Sequence, residues 1–119
     1  MYRIPNDLNL SMALGEVTTQ IRVGQFDLQC SFGPVNFVVE SKIVLFKNHE
    51  IVGSWKAGKW PDPMFYEILN TKIDKWGAPD DKRIVLHFEN GMEMHLLDTS
   101  NQYECIQISV EGDSREWII

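Results

Sequence analysis

The stretch LHFENGMEMHLLD, Leu86–Asp98, decides how this chain folds. Its centre, Glu89-Asn90-Gly91, reads as a hairpin turn between two apolar-rich segments. A two-residue Asn-Gly turn would pair Phe88 with Glu93 and Leu86 with His95, mixing core and polar residues on each face. A three-residue loop with Gly91 left-handed pairs Phe88 with Met92, Leu86 with Met94, His87 with Glu93 and Val85 with His95. The apolar set then shares one face. A slip of one residue would turn every side chain to the wrong side, so the buried face selects the three-residue loop.

This register puts His87, Glu93 and His95 together on the polar face. Diagonal neighbours on such a face are about 7–8 Å apart, within reach of a divalent metal. A third strong ligand is not evident, and strand positions facing water are commonly polar. The reading adopted is a solvated or hydrogen-bonded face, with no metal and no catalytic residue assigned; a small metal protein or enzyme using these three residues stays as the lesser alternative.

The same two-residue period runs through most of the chain. In FDLQCSF, Phe26, Leu28, Cys30 and Phe32 point one way and Asp27, Gln29 and Ser31 the other. VNFVVESKIVLFK, Val35–Lys47, is a long β-branched and aromatic run whose parity drifts near Glu40-Ser41, which suggests a bulge or sharp twist. IVGSWKA follows the turn NHE. After the loop GAPDD, the segments KRIVLHFE, MEMHLLD, YECIQISV and REWII read as further strands. Only WPDPMFYEILN breaks the pattern. Pro61 and Pro63, Asp62 as an N-cap, and the spacing of Met64, Phe65, Ile68 and Leu69 predict a single helix near residues 62–69. Thr19–Gly33 and Thr71–Gly91 share Thr-x-Ile and the spacing of Leu28 to Gly33 and Leu86 to Gly91, a weak internal repeat. The expected fold is mainly β (α+β): two antiparallel β-meanders, about 16–57 and 71–119, sharing one core in a single domain of residues 1–119 and joined by that helix.

Composition agrees with one soluble domain. The chain has 119 residues, 44% hydrophobic and 24% charged, enough to bury a real core. No apolar run approaches the ~18 residues of a membrane span, and the N-terminal segment lacks a signal-peptide core, so a cytoplasmic protein is expected. Cys30 and Cys105 lie far apart in strand-like patterns and read as buried thiols. Residues 1–83 carry ten acids and ten bases, whereas residues 84–119 carry seven acids against one base, so the last third supplies the whole net charge of −6. Such a balance repels nucleic acid and anionic membranes and attracts a basic protein.

Other candidate chemistry is weak. No Gly-x-Ser-x-Gly elbow is present, GQFDLQCSFG is an alternating strand, and Asp80-Asp81 beside Pro79 reads as a turn. Trp55 falls at a core position; Trp60, before Pro61, is either a packing residue or an exposed interface aromatic.

FENGMEMHLLDTSNQYECIQI, Phe88–Ile108, resembles a family of small bacterial β-rich domains through Phe88, Gly91, Asp98, Ser100, Tyr103, Glu104, Ile106 and Ile108. Val23–Phe32 resembles that family's first hairpin. Members of the family resemble immunity proteins of contact-dependent inhibition and related polymorphic toxin systems. The resemblance implies a non-catalytic cytoplasmic inhibitor, without cofactor, that binds a cognate toxin C-terminal domain. A nuclease toxin would present the cationic surface that an acidic inhibitor fits. If residues 84–119 form one up-and-down meander, the tips ENG and EGDS fall at one end and gather Glu89, Glu93, Glu111, Asp113 and Glu116, with Trp60 as a further contact. Asp98, with Ser100 and Tyr103, reads as a turn device. The alternative is a binding or assembly module with no toxin partner, its acids serving only as a solubilising rim.

Overall fold

The computed structural model describes residues 3–99, 104–113 and 116–119. Among them, alternation yields ten strands in two five-stranded antiparallel sheets. Sheet 1 runs, neighbour to neighbour, β1 (Thr18–Val23), β2 (Leu28–Phe32), β3 (Val35–Val39), β9 (Ile106–Val110) and β10 (Glu116–Ile118). Sheet 2 runs β6 (Ile73–Asp80), β7 (Arg83–Phe88), β8 (Met92–Leu97), β4 (Lys42–Lys47) and β5 (Glu50–Lys56). One apolar cluster spans both sheets, and Phe32 of β2 meets Phe88 of β7 with ring centroids 6.2 Å apart. The mainly β, antiparallel architecture expected from the alternation is therefore the one that forms.

The halves are not two separate meanders, however. Each three-stranded meander, β1-β2-β3 or β6-β7-β8, is completed by the last two strands of the other half. The two strand orders become the same when five is added to each strand number and the count wraps around. The halves begin side by side: Val17 bridges Lys72, Gly15 N–H donates to Ile73 O at 2.8 Å, and Ile73 N–H donates to Glu16 O at 3.1 Å. Ladder partners make Phe32, opposite Thr18, the counterpart of Phe88, opposite Ile73. The sequence match of Leu28 with Leu86 is thus two residues out of structural register.

The exchange also removes the single meander expected over residues 84–119, because β8 lies in sheet 2 and β9 in sheet 1. Two crossovers carry the chain between sheets. At Glu40-Ser41 the parity does not slip: Val35, Phe37, Val39, Ser41, Ile43 and Leu45 are all buried. The discontinuity read from the sequence there is a change of sheet that keeps the odd positions on the core. The second crossover leaves β8 at Asp98 and enters β9 after Cys105, and its ends are tied by a hydrogen bond from Cys105 Sγ to Asp98 Oδ1 at 3.2 Å. The other carboxylate oxygen of Asp98 pairs with Arg3 Nη1 at 3.1 Å. Asp98 is therefore a buried latch; Ser100 and Tyr103, expected to act with it, lie outside the described residues.

The expected helix over 62–69 is a 3-10 helix, Pro63–Ile68, and not an α-helix. Prolines 61 and 63 remove amide donors, and six residues are too few to nucleate a stable α-helix. Three residues per turn still place Phe65 and Ile68 on one side, where both are buried. The Asp62 carboxylate does not cap this helix; it accepts from Ser54 N–H at 2.9 Å and from Lys59 Nζ at 3.3 Å, which together hold it below the usual carboxylate range, the backbone bond first. Gly53 makes room for this strap, since a Cβ there would meet Asp62 Cβ at 3.3 Å. GAPDD is likewise not a free loop: Gly77–Asp80 continue β6 with an irregular register. Trp55 is fully buried, and both cysteines are buried; burial pushes the Cys30 thiol up to about 12, against the opposing pull of Arg22.

The decisive hairpin has the expected register, with His87 opposite Glu93, Leu86 opposite Met94 and Val85 opposite His95. Gly91 sits at φ +87°, and a Cβ there would meet nothing within 4 Å. Gly91→Ala should therefore destabilise through backbone strain alone, by about 1–2 kcal/mol. Urea unfolding with an unshifted midpoint would show that this turn does not need its glycine.

Candidate functional site

Core-facing alternation in sheet 2 leaves a second set of side chains on its outer face. Arg83, Val85 and His87 alternate with the buried Ile84, Leu86 and Phe88 on β7, and Glu93, His95 and Leu97 with Met92, Met94 and Leu96 on β8. Ladder pairing turns these into rows. One row runs Ile51, Phe46, Glu93, His87 and Lys75 from β5 to β6. The next runs Ser54, Val44, His95, Val85 and Gly77. Phe46 is half-buried, Val44 and Val85 are almost wholly covered by their neighbours, and Ile51 is 68% exposed.

Glu93 is the hub. His95 Nε2 lies 3.0 Å from Glu93 Oε1, and His87 Nδ1 lies 4.0 Å from Glu93 Oε2. Arg83 Nη1 approaches His95 Nδ1 at 3.2 Å. A guanidinium can only donate, so His95 accepts at Nδ1 and donates from Nε2 to the carboxylate. The result is a hydrogen-bonded chain, Arg83 to His95 to Glu93. Phe46 stands edge-on to the His95 ring, centroids 4.4 Å apart. The bond from His95 lowers the Glu93 pKa first; partial burial opposes this, and the nearby His87, His95 and His49 lower it further. All three histidines of the chain therefore act on one carboxylate. His49 is placed by the β4–β5 turn, where Asn48 and His49 both take positive φ, 54° and 68°.

The arrangement presents Glu93 as an oriented anion. Both ring nitrogens of His95 are occupied, and its side chain is only 11% exposed. Among the described residues, no group of three or more His, Cys, Asp or Glu is disposed to hold a metal ion.

The acids expected to share one end come from both sheets. Glu89 and Glu93 belong to the β7–β8 hairpin of sheet 2. Glu111 and Asp113 follow β9 and Glu116 opens β10, all in sheet 1, with Glu111 N–H bonded to Pro34 O at 2.8 Å. Trp60, 76% exposed, lines a hollow with Val23, Gly24 and Gln25 beside the β1–β2 turn, the opposite end of sheet 1 from Glu111. The structure thus sets Glu89 and Glu93 on one hairpin of sheet 2 and Glu111, Asp113 and Glu116 on sheet 1, with Trp60 at the far end of sheet 1 from Glu111. Sequence reasoning missed Arg83, which reaches His95 diagonally across the β7–β8 hairpin, and Phe46, Ile51 and His49, which join the site only through the long-range β4–β8 pairing and the β4–β5 turn.

Searches against family models, curated proteins and solved structures returned no match to this chain. Among the described residues, no helix is long and apolar enough to cross a membrane.

A pH test reads the hub directly. Folding lowers the Glu93 pKa, so its ionised form stabilises the fold at and above the unfolded value, about 4.3, and that contribution is lost as pH falls through the folded value. Glu93→Gln should flatten the dependence of unfolding free energy on pH between about 2 and 5. Parallel wild-type and variant curves over this range would show that the carboxylate is not held by its histidines.

Proposed function

We propose that this chain is a non-catalytic inhibitor of the immunity type, which neutralises a cognate basic toxin domain, a nuclease, by covering it with the outer face of sheet 2. One observation carries the reading: a carboxylate held ionised by a neighbouring imidazole, 27% exposed, beside apolar surface at Phe46 and Ile51. A fixed anion at the edge of an apolar contact is what an inserted lysine or arginine of a basic partner recognises, and such charge pairs dominate binding when water is excluded around them. Glu89 extends the negative surface at the hairpin tip. Glu111, Asp113 and Glu116, on sheet 1, add to the field that attracts the partner without forming the contact.

Co-expression of the chain with a toxin domain encoded beside it should restore bacterial growth. Glu93→Lys and Ile51→Asp should abolish rescue while both variants still fold, as a cooperative melting transition would show, with Glu93→Lys raising the dissociation rate by the equivalent of about 2–5 kcal/mol. Glu111→Lys should mainly slow association, an effect that fades with salt because exposed charges are screened beyond about 8 Å at physiological ionic strength. Failure of the wild-type chain to rescue any adjacent toxin, or full rescue by both sheet 2 variants, would refute this function or this face respectively.

A further inference from the structure

The topologically equivalent face of sheet 1 carries different chemistry. Gln20 and Arg22 of β1, Gln29 and Ser31 of β2, Asn36 of β3 and Ser109 of β9 line a concavity of about 670 Å³, with Glu111 at its margin. That size lies within the range of small-molecule sites.

Arg22 organises it. Its Nε donates to Gln29 Oε1 at 3.2 Å, and its Nη1 donates to Gln20 Oε1 at 2.6 Å and Ser31 Oγ at 2.9 Å. All three acceptors are neutral. A guanidinium has five N–H donors, so these bonds consume three and leave both on Nη2 without a protein acceptor among the described residues. No carboxylate among those residues lies in ion-pair range of Arg22. Ser31, only 7% exposed, passes its own hydrogen to Asn36 Oδ1 at 2.6 Å, which leaves the Asn36 amide donors available. A cation is thus fixed in orientation by amide and hydroxyl groups, without a carboxylate partner among the described residues, in a hollow lined mainly by hydrogen-bonding side chains together with Val38 and Gly33.

We infer that this concavity binds a small polyhydroxylated anion, a sugar acid or a sugar phosphate, with the anionic group on the Arg22 guanidinium and the hydroxyls on the surrounding amides and hydroxyls. A planar donor fork matches a carboxylate or phosphate edge, and the adaptable Gln, Asn and Ser side chains can each donate to and accept from a hydroxyl. One cation with Glu111 at the margin suits a single anionic group and disfavours a nucleic-acid backbone, which needs several cations.

The test is titration of the isotope-labelled chain, followed by NMR, with glucuronate, glucose 6-phosphate, inorganic phosphate and glucose. The Arg22 Nε–H and the backbone amides of Gln20, Gln29 and Ser31 should shift with at least one sugar anion, at an affinity about tenfold or more above that for inorganic phosphate, and not with glucose. Which sugar anion binds identifies the anionic group as carboxylate or phosphate. Arg22→Gln should weaken binding about tenfold or more, whereas Glu111→Gln, at an exposed position, should strengthen it. The inference falls if no sugar anion perturbs this face, if inorganic phosphate binds equally well, or if Arg22→Gln or Glu111→Gln leaves affinity unchanged. Because the site lies on the sheet opposite Glu93, these outcomes are independent of toxin binding.

Discussion

The antiparallel pairing of residues 15–18 with residues 70–73 is the constraint on which the architecture turns. It starts the two halves side by side and commits each to its own three-stranded meander. A lone meander would leave an open edge at β3 or β8, with a row of unpaired backbone groups. Here β9 covers β3 and β4 covers β8, each supplied by the other half. Neither half can complete a sheet alone, so the core assembles from both. The two crossovers that permit the exchange are secured differently. The short one keeps its core parity through the corner, and the long one is latched by Asp98. The cost of burying that carboxylate is offset by the bonds it accepts from Arg3 and Cys105.

What was legible in the sequence follows from the range of the interactions involved. The hairpin at Glu89–Gly91 was readable because the pleat couples register to burial, so one local choice fixed four cross-strand pairs. The helix was misjudged because the separation of Phe65 and Ile68 fits a 3-10 turn as well as an α-helix, and the flanking prolines were read as start signals instead of lost donors. The repeat was aligned on matching leucines, whereas ladder partners align Phe32 with Phe88. Hydrogen-bond partners across a sheet leave no trace in the identity of a single residue.

The site divides in the same way. That His87, Glu93 and His95 share a face was visible from one hairpin. That Arg83 fixes the tautomer of His95 depends on side-chain directions within that same hairpin, which register alone does not give; that Phe46 and Ile51 join Glu93 in one row required knowing that β4 lies against β8. Counting acids along the chain placed five carboxylates at one end; the strand exchange sends two to sheet 2 and three to sheet 1, and takes Asp98 out of the surface charge altogether. Net charge is a property of composition, but a charged patch is a property of topology.

One scaffold has thereby produced two unlike faces. Inward positions of equivalent strands are held to apolar residues by the shared core. Outward positions carry no such constraint, and they have diverged to a row of Ile51, Phe46, Glu93 and His87 on one side and a ladder of amides and hydroxyls around Arg22 on the other. In both cases hydrogen-bonding neighbours orient a charged group: His95 for the Glu93 carboxylate, and Gln20, Gln29 and Ser31 for the Arg22 guanidinium. An exposed charge in a direct ion pair would be largely spent on that pair. A charge held by imidazole, amide and hydroxyl groups keeps its field while losing its conformational freedom, and a binding partner then has less ordering entropy to overcome.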